Sequence, residues 1–184
     1  MRTDIRKLTR SSILLALAIV MQVLGRNYPW LSQLVVGSTV NAILIICLFI
    51  NDVHWAILVG ALTPILAWLL GQLPQPLGPI IPIIALGNVS FVLIVNVVKN
   101  LRNKGLAMEI PAIIAASLVK LGVIYLGTKF VLQLFSLSAV AIKAASKLMG
   151  ISQLITALIG GFAAILLLRL FFPKKSDKYS VLNG

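Results

Sequence analysis

The sequence predicts an all-α integral membrane protein with six transmembrane helices and both termini cytoplasmic. Three observations predict it. The 184 residues are 60% hydrophobic and 11% charged, with mean hydropathy +1.06, a balance that leaves apolar surface for lipid rather than water. The apolar runs approach the ~20 residues that cross a ~30 Å hydrocarbon layer at ~1.5 Å per residue. Lys and Arg gather at alternate ends of those runs, as membrane topology requires.

Span one covers residues 8–24, behind Arg2, Arg6, Lys7 and Arg10. A basic start before an apolar run has the form of a secretory leader. Arg26-Asn27-Tyr28-Pro29 follows in place of a small-residue cleavage site, so this span is expected to be retained. Tyr28 and Trp30 suit the interfacial aromatic belt. Span two covers 33–50, and Asn51-Asp52-Val53-His54 forms a tight turn into span three, 55–70. Pro74, Pro76 and Pro79 then predict a rigid, non-helical hairpin before span four, 80–98. Pro64 and Pro82 fall inside the flanking spans, where each frees a carbonyl that a neighbouring group must satisfy. Lys99, Arg102 and Lys104 precede span five, 108–135. Residues 136–149 predict a short surface helix capped by Ser138 and carrying Lys143 and Lys147. Span six covers 151–172, ended by Pro173 before a basic tail. The whole chain, 1–184, reads as a single transmembrane domain, without room for a separate soluble one.

Six spans put both termini on one side. The termini and the 99–104 loop carry eleven basic residues, counting Arg169, against Arg26, Lys143 and Lys147 on the other side. That asymmetry predicts cytoplasmic termini and an outward-facing proline hairpin. The same placement accounts for the net charge of +12 without nucleic acid as a partner. The single Cys47 excludes an intrachain disulfide and reads as a small core residue.

Lys120 is the sharpest chemical signal. It lies near the predicted middle of span five, where a lysine costs on the order of 2.5–3.5 kcal/mol and faces protein or a cavity. The one carboxylate inside a predicted span, Glu109, stands at the very start of span five, eleven residues before Lys120, and none falls near the middle to pair with it. Two readings stand: a contact for an anionic or carbonyl-bearing ligand, or a structural lysine that snorkels or pairs with carbonyls. Tyr125, Lys129 and Gln133 form a stripe at four-residue spacing on nearly the opposite face, suited to an interface anchor. Asn41, Trp68, Gln72, Asn88, Gln153 and Thr156 complete the candidate substrate-binding set with Trp30 and Lys120. Buried amides serve as interhelical glue as readily as ligand contacts. His54 beside Asp52 reads as interface packing. Ser12 and Ala16 place two small side chains on one face of span one, where another helix can approach closely.

The sequence lacks a G-x-x-x-x-G-K-[ST] phosphate loop, paired intramembrane carboxylates and a Cys/His cluster. No catalytic residue, cofactor or metal is expected.

The basic start, six spans and paired small residues of span one, with GSTVN (37–41), VGALTP (59–64) and LPQPLGPIIPIIALGN (73–88), give the chain a resemblance. It resembles a substrate-binding S component of the energy-coupling factor (ECF) vitamin importers. The resemblance covers nearly the whole chain, with loose motifs. It implies a pocket in the outer half, gated by the loops between spans one and two and between spans three and four. In that family an A-x-x-x-A pattern on the first helix packs on a transmembrane coupling subunit. Ser12 and Ala16 match it in part. The partners implied are that coupling subunit, two ATPase subunits and the lipid bilayer, in a bacterial cell membrane. The expected function is capture of a vitamin or precursor outside, with uptake powered by the partners. Hydroxymethylpyrimidine or a pyridoxine-like ring ranks first, stacked on Trp68 with amide bonds from Asn88 and Gln153. Pantothenate, its carboxylate on Lys120, ranks next. A self-sufficient small-solute permease or channel and a membrane assembly protein are the alternatives.

Overall fold

The computed structural model describes residues 2–100, 106–135 and 139–171. Its helices are α1 (Arg2–Asn27), α2 (Pro29–Ile50), α3 (Val53–Leu69), α4 (Ile81–Asn100), α5 (Leu106–Leu134), α6 (Ala139–Leu148) and α7 (Ile151–Phe171). Five segments are long and apolar enough to cross a membrane. The sixth crossing is α3, whose 17 residues lie at the short end of the spanning range. The six expected spans are therefore present as an all-helical membrane bundle. The Ser138 cap falls outside the described residues.

The proline hairpin is not the non-helical loop expected. Gln75–Ile80 forms a 3₁₀ helix, because a ring-fixed φ near −65° fits the first turn of such a helix, where no N–H is needed. Pro82 is corrected as well. It occupies the second position of α4, and the Gly78 carbonyl four residues before it accepts the Ile81 N–H instead. Pro82 therefore kinks nothing. Pro64 lies inside α3 and does remove a ladder bond.

At its outer end α3 stops at Gly71, whose φ of +72° is the left-handed conformation that glycine adopts freely. Gly71 N–H donates to the Trp68 carbonyl at 3.0 Å and Gln72 N–H to the Ala67 carbonyl at 2.9 Å. This paired closure uses carbonyls that the helix end leaves open. Arg26 donates from Nη1 to the remaining Leu70 carbonyl at 3.2 Å, placing a cation at the negative end of the α3 dipole.

The core is built around α2. Ala42, Ile43, Leu44, Ile45, Cys47 and Leu48 are all buried, so its inner half is enclosed on every side. It packs most extensively on α7, and α4 most extensively on α5. The α2–α7 approach requires Gly160, where a Cβ would stand 2.3 Å from the Ser38 carbonyl oxygen and 2.7 Å from Asn41 Cβ. Phe91, Val92, Ile113 and Ala164 complete this inner core. A second apolar cluster at the outer end joins Leu73, Leu77 and Ile80 to Ile124, Val131, Ala145 and Met149. α6 thus buries Ala145 and leaves Lys143 and Lys147 exposed, as an interfacial helix should.

At the inner end Lys7 pairs with Asp52, and the ammonium holds that carboxyl below the usual carboxylate range. Asn51 Nδ2 donates to Ser11 Oγ at 2.7 Å, tying the α2–α3 turn to α1. Arg169 and Glu109 join α7 to α5 at 2.5 Å. The lipid-facing sides carry exposed apolar residues such as Ile13, Val20 and Leu126.

The topology is tested with single cysteines in a Cys47→Ala background. A cysteine at His54 should label only from the cytoplasm and one at Gln75 only from outside, since both positions are exposed at opposite ends of α3. Labelling of both from one side would remove the six-span topology.

Candidate binding site

A cavity of about 360 Å³ opens between the inner and outer apolar clusters. Its deepest polar feature is Lys120, at the centre of the 29-residue α5 and only 2% exposed. Among the described residues no carboxylate pairs with this lysine, yet it is not unpaired. Its ammonium donates to Asn41 Oδ1 at 2.5 Å and to Asn88 Oδ1 at 2.8 Å. It also lies 5.4 Å from the centroid of the Phe91 ring, within cation–π range. Two amide dipoles and a ring face stand in place of a carboxylate.

The orientation of both amides follows from the backbone. Pro64 has no N–H to give the Gly60 carbonyl, and Asn88 Nδ2 donates to that carbonyl at 2.9 Å. Thr63 Oγ1 donates to it as well, at 3.2 Å. With its NH₂ so engaged, Asn88 presents Oδ1 to Lys120. Asn41 does the same on α2: Nδ2 donates to the Gly37 carbonyl at 2.9 Å, leaving Oδ1 for the lysine. The freed carbonyl foreseen at Pro64 is thus the anchor that aims one half of the ammonium site.

Gln72, at the α3 end, and Gln153, on α7, also line the cavity. Gln153 Nε2 donates to the Leu148 carbonyl at 3.0 Å, as does Gln33 Nε2 at 3.3 Å, so the two amides hold the α6–α7 turn over the opening. The cavity therefore brings together Asn41, Gln72, Asn88, Lys120 and Gln153 of the candidate set. Two members lie elsewhere. Trp68 packs its ring on Gly78 and donates from Nε1 to the Gln75 carbonyl at 3.1 Å, bracing the 3₁₀ helix. Thr156 is buried against Gly37 and donates to the Gln153 carbonyl at 3.2 Å, behind the wall. The side chain of Trp30 is outside those described.

Polar lining residues that were not foreseen include Gln22, Thr63 and Arg26, besides Gln33. Gln22 of α1 is buried and donates from Nε2 to the Thr63 carbonyl at 3.0 Å; its signal was an amide between apolar residues. Thr63 directly precedes Pro64. Arg26 reaches the mouth because α1 runs three residues past the predicted end of span one. Lys129 stands 4.5 Å from the centroid of the Tyr125 ring, and both are exposed. The Tyr125–Lys129–Gln133 stripe therefore faces outward, away from the cavity. Ser12 and Ala16 are exposed on α1.

A family profile described as "ECF transporter, substrate-specific component" matches residues 6–171. The chain belongs to this family. It is accordingly a multi-pass membrane protein and the substrate-specific, S component of an ECF transporter. No curated protein and no solved structure matches it.

In this S component the two asparagines have unequal structural weight. Asn88→Leu removes an acceptor from Lys120 and one of the two side-chain donors to the Gly60 carbonyl. Asn41→Leu removes only an acceptor, because the Gly37 carbonyl keeps its place in the helix ladder. At ~1–3 kcal/mol for a buried group left unsatisfied, Asn88→Leu should lower the thermal unfolding midpoint in detergent clearly more than Asn41→Leu. Equal shifts would show that the Gly60 carbonyl freed by Pro64 does not depend on Asn88.

Proposed function

We propose that this S component captures a small, water-soluble molecule that presents an oxyanion or carbonyl oxygen to Lys120, entering from the outer face. The observation that carries the reading is a buried ammonium at a cavity, held among the described residues by two amide oxygens and a ring face. Among the described lining residues there is no Asp or Glu. An ammonium has three donors, and two are used by Asn41 and Asn88. The third is available for ligand, where low dielectric strengthens a charge-assisted bond. A volume of about 360 Å³ lies at the small end of the ~300–1,000 Å³ typical of ligand pockets.

The described lining residues include no aromatic ring, so stacking of a pyrimidine or pyridine has less support than it had from sequence. Pantothenate, a carboxylate with hydroxyl and amide groups, fits the lining better. The energising partners are proposed to be a transmembrane coupling subunit and two ATPase subunits in a bacterial cell membrane. The exposed Ser12 and Ala16 on α1 supply a place for close helix contact. ATP hydrolysis then belongs to the partners, with this chain binding and releasing substrate.

The test compares pantothenate, its neutral alcohol pantothenol, hydroxymethylpyrimidine and pyridoxine by calorimetric titration of the detergent-solubilised protein. Pantothenate should bind best. Lys120→Met should weaken it about ten- to a hundred-fold, since a charge-assisted hydrogen bond contributes ~1.5–3 kcal/mol. The preference for pantothenate over pantothenol should vanish in the same variant. That loss of preference separates ligand contact from destabilisation, because Lys120→Met also strands the Asn41 and Asn88 oxygens. Binding of either ring compound with no binding of pantothenate would overturn the reading.

A further inference from the structure

The cavity has a second cation, at its opposite end. Arg26 sits in the last turn of α1 and lines the mouth. Its guanidinium lies against Gly71, with Cζ and Nε each 3.5 Å from where a Cβ would stand. That contact and the 3.2 Å bond from Nη1 to the Leu70 carbonyl fix its position over the α3 end. One of five guanidinium N–H donors is engaged there. The group is exposed, and the described cavity lining contains no carboxylate to neutralise it.

Helix rise gives the rough axial offset between the floor, where Lys120 stands, and the mouth, where Arg26 stands. Gln22 donates to the Thr63 carbonyl, and Thr63 shares Asn88 with Lys120, so these residues mark the floor. From Gln22 to Arg26 is four residues of α1, about 6 Å of rise, and from Thr63 to Leu70 is seven residues of α3, about 10 Å.

We propose that Arg26 is a second ligand-contact residue, so that the site selects a molecule bearing two acceptor groups about 6–10 Å apart, one on Lys120 and the other on Arg26. The inference rests on the Lys120 reading above and extends it from one acceptor to two. An elongated, doubly oxygenated ligand of this length lies along the cavity with its ends on the two cations. Hydroxyl, carbonyl and oxyanion groups all accept from a guanidinium, and the planar fork gives the outer contact directional selectivity that a lysine would not. Gly71 belongs to the same device. Its left-handed turn, which glycine adopts freely, closes the α3 end on which the guanidinium rests.

The experiment titrates pantothenate into detergent-solubilised wild type, Arg26→Gln, Arg26→Lys and Lys120→Met, each checked for an unchanged elution profile on size exclusion. Pantothenol is titrated in parallel. With the pantothenate carboxylate on Lys120, its hydroxyl end reaches Arg26. Arg26→Gln should then weaken pantothenate and pantothenol by the same factor, about ten-fold or more, with Arg26→Lys between it and wild type. Lys120→Met should weaken pantothenate selectively. Wild-type affinity in Arg26→Gln alongside a weakened Lys120→Met would overturn the Arg26 assignment and leave the Lys120 reading intact. The reverse pattern would overturn the Lys120 reading and keep a ligand contact at Arg26. No binding of pantothenate to the wild type would overturn both. Should Arg26→Gln elute as aggregate, Arg26→Met replaces it, and unchanged affinity in that variant would count against Arg26.

Discussion

One missing hydrogen bond organises the site. Pro64 deprives the Gly60 carbonyl of its helical donor, and Asn88 answers from α4. An amide that donates in one direction must accept in the other, so Asn88 is turned to receive Lys120 from α5. Three helices are registered by this chain of groups. Asn41 adds α2 from the opposite side, and Gln22 adds α1 through the neighbouring Thr63 carbonyl. A defect in the α3 ladder thus becomes the junction at which five helices meet around the cavity floor.

The remainder of the bundle holds that junction still. The inner half of α2 is enclosed by apolar side chains, and Gly160 lets α7 approach its backbone so closely that Asn41 is fixed in depth. At the outer end, the paired closure of α3 at Gly71, the 3₁₀ helix braced by Trp68 and the α6–α7 turn held by Gln33 and Gln153 frame the opening. Rigid packing occupies the inner half, and the polar, less tightly filled part of the molecule faces outward.

Much of the architecture was legible because the membrane imposes it. Apolar run length marked where the six long helices lie, although α1 starts six residues and α2 four residues before the expected spans. Polar residues inside those runs identified Lys120, Asn41 and Asn88, since each must be buried with partners if it is not to cost several kcal/mol. What was illegible was rotation and local backbone. Trp68 and Thr156 have the same sequence signal as Asn88, but their helix faces turn them to the 3₁₀ helix and to Gly37. Arg26 looked like a loop residue because the hydropathy of span one ends before α1 does. Pro82 looked like a second kink because its position relative to the start of α4 depends on where the 3₁₀ helix ends. The acceptor set of Lys120 was hidden as well, since amide oxygens leave no mark in a search for carboxylates.

Holding Lys120 with neutral dipoles alone has an electrical consequence. A protonated Lys120 puts a unit charge on the cavity floor, deep within a low-dielectric slab, and dipoles lower its energy without cancelling it. An oxyanion arriving there would convert that monopole into a dipole whose field falls off far more steeply with distance. Such occupancy would alter how the whole subunit interacts with the surrounding hydrocarbon and with the membrane potential, which acts on net charge. Reporting of the loaded state over the width of the bilayer would need no rearrangement of the helices at all.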